Sequence, residues 1–103
     1  MVDYEGYQFG FGCMRLPVGD GGPDDFDYPK IEALFDEFLA RGFTYFDTAY
    51  TYHGYHAEEA VGKALVARHP REAFHLATKL PLRDFKDAAD MERIFAEQLA
   101  NCG

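Results

Sequence analysis

No run in this sequence is long and apolar enough to cross a bilayer as a helix, which takes about 20 residues. The opening Met1-Val2-Asp3-Tyr4-Glu5 lacks the basic-then-apolar pattern of a secretory signal. Basic side chains are scarce, ten against eighteen acidic ones, and the net charge of -8 argues against nucleic acid or an anionic membrane as partner. Cysteine is down to two, Cys13 and Cys102, far apart and in no CxxC pair. They are expected to be reduced thiols of a cytoplasmic protein. There is no P-loop spacing, no GxGxxG leading into a helix and no Gly-x-Ser-x-Gly; Gly10-Phe11-Gly12 alone is too short to count. Tryptophan is missing as well, yet ten Phe and seven Tyr supply enough aromatic surface for a real core.

The periodicity that remains alternates strand and helix. Tyr7 to Cys13 reads as a first strand, with Phe9 and Phe11 on one face. Gly10 and Gly12 on the other face suggest close approach of another group. Val18 to Pro29 is an acidic loop rich in Gly, Asp and Pro. A first helix is predicted from Pro29 or Lys30 to Ala40, with Ile31, Leu34, Phe35, Phe38 and Leu39 inward and Gly42 as its left-handed cap. Phe43 to Asp47 follows as a strand. Ala57 to Arg68 is then a helix with Ala57, Ala60, Val61, Ala64 and Leu65 on one stripe. Phe74 to Lys79 is a third strand, and Asp87 to Asn101 a third helix with Met91, Ile94, Phe95 and Leu99 inward. The expected class is α/β, with parallel strands joined by outer crossover helices. A length of 103 residues fits one small domain.

Chemistry collects at the carboxyl ends of such strands. Asp47 ends the second strand and Lys79 the third, and adjacent parallel strands lie about 4.8 Å apart. Tyr52 lies five residues after Asp47 and is able to fold back over the pair. A lysine ammonium beside a phenol favours the phenolate, and an aspartate keeps that ammonium charged and in place. The tyrosine then serves as a general acid nearer neutral pH. Protonating a carbonyl oxygen while a cofactor delivers hydride is a task for such an acid. Taken singly, Asp47 reads as a turn residue, Lys79 as a surface lysine and the tyrosines as packing; together at strand ends they favour catalysis. Tyr50 is a rival to Tyr52. His53 and His56, three apart, have metal-ligand spacing but no third ligand. His69 and His75 read as a helix-end and an interior polar residue. Glu58 and Glu59 suit a helix first turn through the dipole.

Gly10-Phe11-Gly12-Cys13-Met14-Arg15-Leu16-Pro17, Phe46-Asp47-Thr48-Ala49-Tyr50-Thr51-Tyr52-His53, Glu58-Glu59-Ala60-Val61-Gly62-Lys63-Ala64-Leu65 and Ala77-Thr78-Lys79-Leu80-Pro81 resemble the aldo-keto reductase family, closest to its bacterial predicted-oxidoreductase branch. The resemblance implies a (β/α)8 TIM barrel of about 250 residues, of which this chain supplies the first three βα units as one incomplete domain spanning 1–103. It implies NADPH, with NADH as alternative, bound without a Rossmann motif, and reduction of small aldehydes or ketones. By motif, Asp47, Tyr52 and Lys79 match three catalytic residues, while Gly12, Cys13, Met14, Arg15 and Asp47 match positions at the cofactor. The family's catalytic histidine follows a fourth strand, and its phosphate-gripping loops come later still. Some members of the branch carry a C-terminal iron-sulfur region. The chain alone is therefore expected to be inactive and to self-associate. The alternatives are a non-catalytic self-associating fragment or a metal-dependent barrel hydrolase using Asp47, His53 and His56.

Overall fold

The computed structural model describes residues 9–103. Three short parallel strands, β1 (Gly10–Gly12), β2 (Tyr45–Asp47) and β3 (His75–Ala77), form one sheet in sequence order. The expected α/β class holds, though Tyr7 and Gln8 of the first predicted strand lie outside the described residues. Gly12, Asp47 and Ala77 stand in register across the carboxyl edge.

Helix α1 (Tyr28–Ala40) starts just before the predicted Pro29 because Asp27 caps it, its Oδ1 accepting from the Lys30 N–H at 3.2 Å. It ends in a Schellman turn. Gly42, at φ 91°, donates its N–H to Leu39 O, and the Phe43 N–H goes to Phe38 O. That turn holds Phe43 outside β2, although the predicted strand began there, and stacks it on Phe38 of α1 at 5.2 Å. Ile31, Phe35 and Phe38 are buried, whereas Leu34 is exposed. The core is largely phenylalanine, with Phe46 touching Phe35, Phe38 and Phe74 at edge-to-face angles that suit ring quadrupoles.

The second predicted helix begins as α3 (Ala57–Val61) and widens to a π-helical segment, Gly62–Val66. Its apolar stripe reads as expected, for Ala57, Ala60, Val61, Ala64 and Leu65 are all fully buried. The widening falls where the chain meets α4 (Ala88–Cys102), and Gly62 explains how the two approach. A Cβ on Gly62 would sit 2.6 Å from the Asn101 carbonyl oxygen and 3.0 Å from that of Cys102.

Helix α4 departs from its predicted face. Ile94 is buried, but Met91, Phe95 and Leu99 are exposed, and Gln98 takes the inward position with 2% of its surface accessible. The three apolar residues line open clefts beside β3 together with Leu76, Thr78 and Leu80. No helix among the described residues is long and apolar enough to cross a membrane.

Candidate active site

Parallel pairing brings Lys79, two residues past the end of β3, to the end of β2. The Lys79 ammonium donates to three oxygens: Asp47 Oδ2 at 2.8 Å, the Thr48 carbonyl at 2.9 Å and the Tyr52 hydroxyl at 2.9 Å. It also lies 4.7 Å from the centroid of the Tyr52 ring. Partial burial works against the charge on Lys79. The hydrogen bonds and charges of Asp47 and Tyr52 outweigh it and raise the Lys79 pKa, so the ammonium stays charged at neutral pH. Asp47 and Lys79 remain 37% and 49% exposed, which leaves the cluster open to an incoming molecule.

Tyr52 is delivered by α2 (Tyr52–Tyr55), a four-residue helical turn broken internally by His53 and Gly54 at φ 54° and 61°. Tyr55 follows, also left-handed at φ 73°. Only Gly54 signals such backbone in the sequence. Tyr50 is directed elsewhere. Its hydroxyl donates to Glu97 Oε2 at 2.5 Å, and this hydrogen bond, with burial and the Glu97 charge, pushes the phenol up to about 12.

The four residues matched to a cofactor segment behave differently from one another. A Cβ on Gly12 would meet no atom within 4 Å, so the space beside Asp47 is open, while the neighbouring Gly10 faces the Tyr45 ring at 3.2 Å. Met14 and Arg15 are exposed. The Cys13 side chain is buried in the core, where burial, aided by the Asp47 charge, pushes its thiol up to about 12; only its backbone remains for a ligand. Its N–H extends the ladder by donating to the Asp47 carbonyl at 2.8 Å.

The residues of the metal alternative do not converge. His53 uses both ring nitrogens within the protein, taking the Leu16 N–H at Nε2 (2.9 Å) and reaching the Pro23 carbonyl from Nδ1 (2.7 Å). His56 lies 3.9 Å from Asp24, and Asp47 belongs to Lys79. Among the described residues, no three His, Cys, Asp or Glu side chains are grouped to hold a metal.

Behind the site, on the helix side of the sheet, lies a polar cluster the sequence reading missed. Glu58 is 1% exposed. Its Oε2 accepts from the Thr78 hydroxyl at 2.6 Å and from Gln98 Nε2 at 3.1 Å, and its Oε1 accepts from Asn101 at 3.4 Å. Gln98 also donates to the Lys79 carbonyl at 2.8 Å, which ties the cluster to the backbone of the site lysine. Glu58 shares a helical stripe with Val61 and Leu65, and that spacing was the available signal. Glu59, on the opposite face, is exposed as a first-turn acid should be.

The aldo/keto reductase family model matches residues 8–103. Several solved structures are similar, two aldo-keto reductases among them. One is a thermostable aldo-keto reductase, Tm1743, crystallised with the inhibitor epalrestat, at 26% identity and TM-score 0.71, over 90% of this chain and 33% of that one. The other is aldo-keto reductase AKR11C1 from Bacillus halodurans in its holo form, at 30% identity and TM-score 0.69, over 92% of this chain and 32% of that one. No curated protein matches. The chain thus spans about a third of the length of these relatives, and the sheet of three parallel strands with outer helices is a part of their fold. With a family match across nearly its whole length, the chain belongs to the aldo-keto reductase family.

Proposed function

We propose that these residues are the first three βα units of an NADPH-dependent carbonyl reductase, in which Tyr52 protonates the carbonyl oxygen of an aldehyde or ketone. The observation that carries this reading is the triple contact of Lys79, with one ammonium holding Asp47, the Thr48 carbonyl and the Tyr52 hydroxyl at once. Lys79 stabilises the phenolate that remains after Tyr52 gives up its proton. Asp47 keeps Lys79 charged and fixes where it points. Tyr50 is unsuited to the same task, because its proton is held by Glu97.

The open side of Gly12, the exposed Met14 and Arg15, and the backbone of Cys13 fit the edge of an extended dinucleotide lying beside Asp47. A bound reduced nicotinamide supplies the hydride; NADH is the alternative donor. Arg15 is the cation in this segment available to a phosphate. A histidine and further phosphate-binding loops, implied by the family likeness, complete the site in the assembled barrel. Reduction is therefore proposed for that barrel and not for the 103 residues by themselves.

Titration of NADPH fluorescence, followed by NADPH oxidation with an aldehyde, tests the reading. Aldehyde-dependent oxidation by the complete barrel is expected, and its absence with intact NADPH binding overturns the assignment of Tyr52. The same assay on the 103 residues is expected to show no turnover.

A second reading has its own support. Met91, Phe95 and Leu99 present an exposed apolar stripe next to β3, the edge strand of the sheet among the described residues. Parallel sheets are normally covered on both faces, and open edges invite further pairing. The 103 residues alone are thus proposed to self-associate through this side. Native mass decides it: a monomer at micromolar concentration removes the proposal.

A further inference from the structure

His53 stands next to the proposed proton donor, yet neither the family match nor the acid–base cluster gives it a role. Its backbone is left-handed at φ 54°, and Gly54 and Tyr55 continue in that region at φ 61° and 73°. A non-glycine residue rarely adopts this conformation without something to hold it there. The imidazole provides the hold. Nε2 lies 2.9 Å from the Leu16 N–H, and Nδ1 lies 2.7 Å from the Pro23 carbonyl. A backbone N–H only donates and a carbonyl only accepts, so the proton sits on Nδ1 and Nε2 is bare. The ring also packs on Phe26 at a centroid distance of 5.1 Å.

Leu16 follows directly on the Gly12–Arg15 segment and is itself buried, 4% exposed. The bridge therefore joins the segment beside Asp47 to the loop that carries Tyr52. We infer that His53 is a positioning residue, which in its neutral Nδ1–H form fixes the spacing between Tyr52 and the Gly12–Arg15 segment and releases it on protonation. A second ring proton would point Nε2–H at the Leu16 N–H, donor against donor, and break the contact.

The charged groups on the joined loops are Arg15, Asp20, Asp24, Asp25 and Asp27 on one side, and on the other stands His56 among the phenols of Tyr50, Tyr52 and Tyr55. Asp24 lies nearest His56, at 3.9 Å, and Asp25 accepts from the Gly21 N–H at 3.0 Å. On the other flank, Lys79 is bonded to Asp47 and Tyr52. None of these contacts replaces the bridge. The catalytic meaning rests on the reduction proposed above; the bridge itself does not.

The test is nitrogen NMR of the imidazoles in the 103-residue chain, with the Leu16 amide and the Tyr52 ring followed against pH. His53 is expected as the Nδ1–H tautomer, with the Leu16 amide and Tyr52 ring signals moving at the same midpoint as the His53 ring. His53→Asn keeps a residue type that tolerates left-handed backbone but is too short to span both partners. In it, Leu16 amide exchange should rise at least tenfold and the pH response of Tyr52 should vanish, whereas His56→Asn should change neither. An Nε2–H tautomer, or a Tyr52 ring indifferent to His53 titration, overturns the inference. Should His53→Asn fail to fold, the tautomer and the shared midpoint in the unaltered chain still decide it. In the complete barrel, His53→Asn should lower kcat by about ten- to a hundredfold, the scale of a small misplacement. A barrel that reduces no carbonyl would count against Tyr52 as acid and leave the NMR result standing.

Discussion

Lys79 and Tyr52 meet with the ammonium nitrogen 2.9 Å from the phenol oxygen and 4.7 Å from the ring centroid, so one cation serves both the hydroxyl and the π face. This contact separates Tyr52 from Tyr50, two residues earlier in the same loop. Tyr52→Phe keeps the ring over Lys79 and removes the proton. In the complete barrel, carbonyl reduction should fall by about two to four orders of magnitude, the range of general acid catalysis, with NADPH affinity nearly unchanged. Tyr50→Phe should stay within a few-fold of the parent. NADPH oxidation with an aldehyde, run on both variants, checks the assignment, and the reverse ranking refutes it.

The raised pKa of Lys79 has a consequence at high pH. A group whose folded pKa lies above its unfolded one contributes stability that is complete below the unfolded value, about 10.4 for lysine, and is lost as pH climbs through the folded value. Asp47→Asn removes one cause of the elevation, so the alkaline loss should begin at lower pH. The effect should be modest, because Lys79 and Asp47 are both more than a third exposed. Thermal melts between pH 9 and 11.5 would show it, and identical curves for the two proteins would contradict it.

Glu58→Ala should destabilise the chain by about 1–3 kcal/mol, since it removes the carboxylate on which the buried Gln98 amide and the part-buried Thr78 hydroxyl now end. Urea unfolding measures this. Because Gln98 also donates to the Lys79 carbonyl, the amide of Leu80, next in sequence, should shift in NMR spectra of the same variant.

Gly62→Ala should cost about 1–3 kcal/mol, although alanine is ordinarily the better helix residue. The added carbon would press on the Asn101 and Cys102 carbonyl oxygens, and backbone oxygens yield less readily than side-chain tips. An increase in melting temperature would show that α4 moves away freely.

Helical spacing made Ala57, Ala60, Val61, Ala64 and Leu65 legible, because that stripe meets the sheet beneath it. The same spacing misplaced Met91, Phe95 and Leu99, because periodicity marks an apolar face without saying whether a partner stands opposite. Asp47 and Lys79 were readable from parity and strand ends, and their contact followed from parallel pairing. Glu58 was hidden by a competing rule, since acids in a first helical turn ordinarily face solvent. The left-handed run at His53, Gly54 and Tyr55 was hidden too, since two of its three residues seldom take that conformation.

Thr78 and Lys79 are neighbours in the chain, yet they serve opposite sides of the sheet. Thr78 reaches out to Glu58, and Lys79 reaches in to Asp47 and Tyr52. Successive side chains along extended backbone alternate, so a slip of one residue between β2 and β3 would exchange the two. Asp47 and Tyr52 would then meet a hydroxyl in place of the Lys79 ammonium, and Gln98 would lose its hold on the Lys79 carbonyl. The buried carboxylate thus works as a parity check on the opposite face: only the register that satisfies Glu58 also brings Lys79 to Asp47 and Tyr52, and a misaligned edge fails on both sides at once.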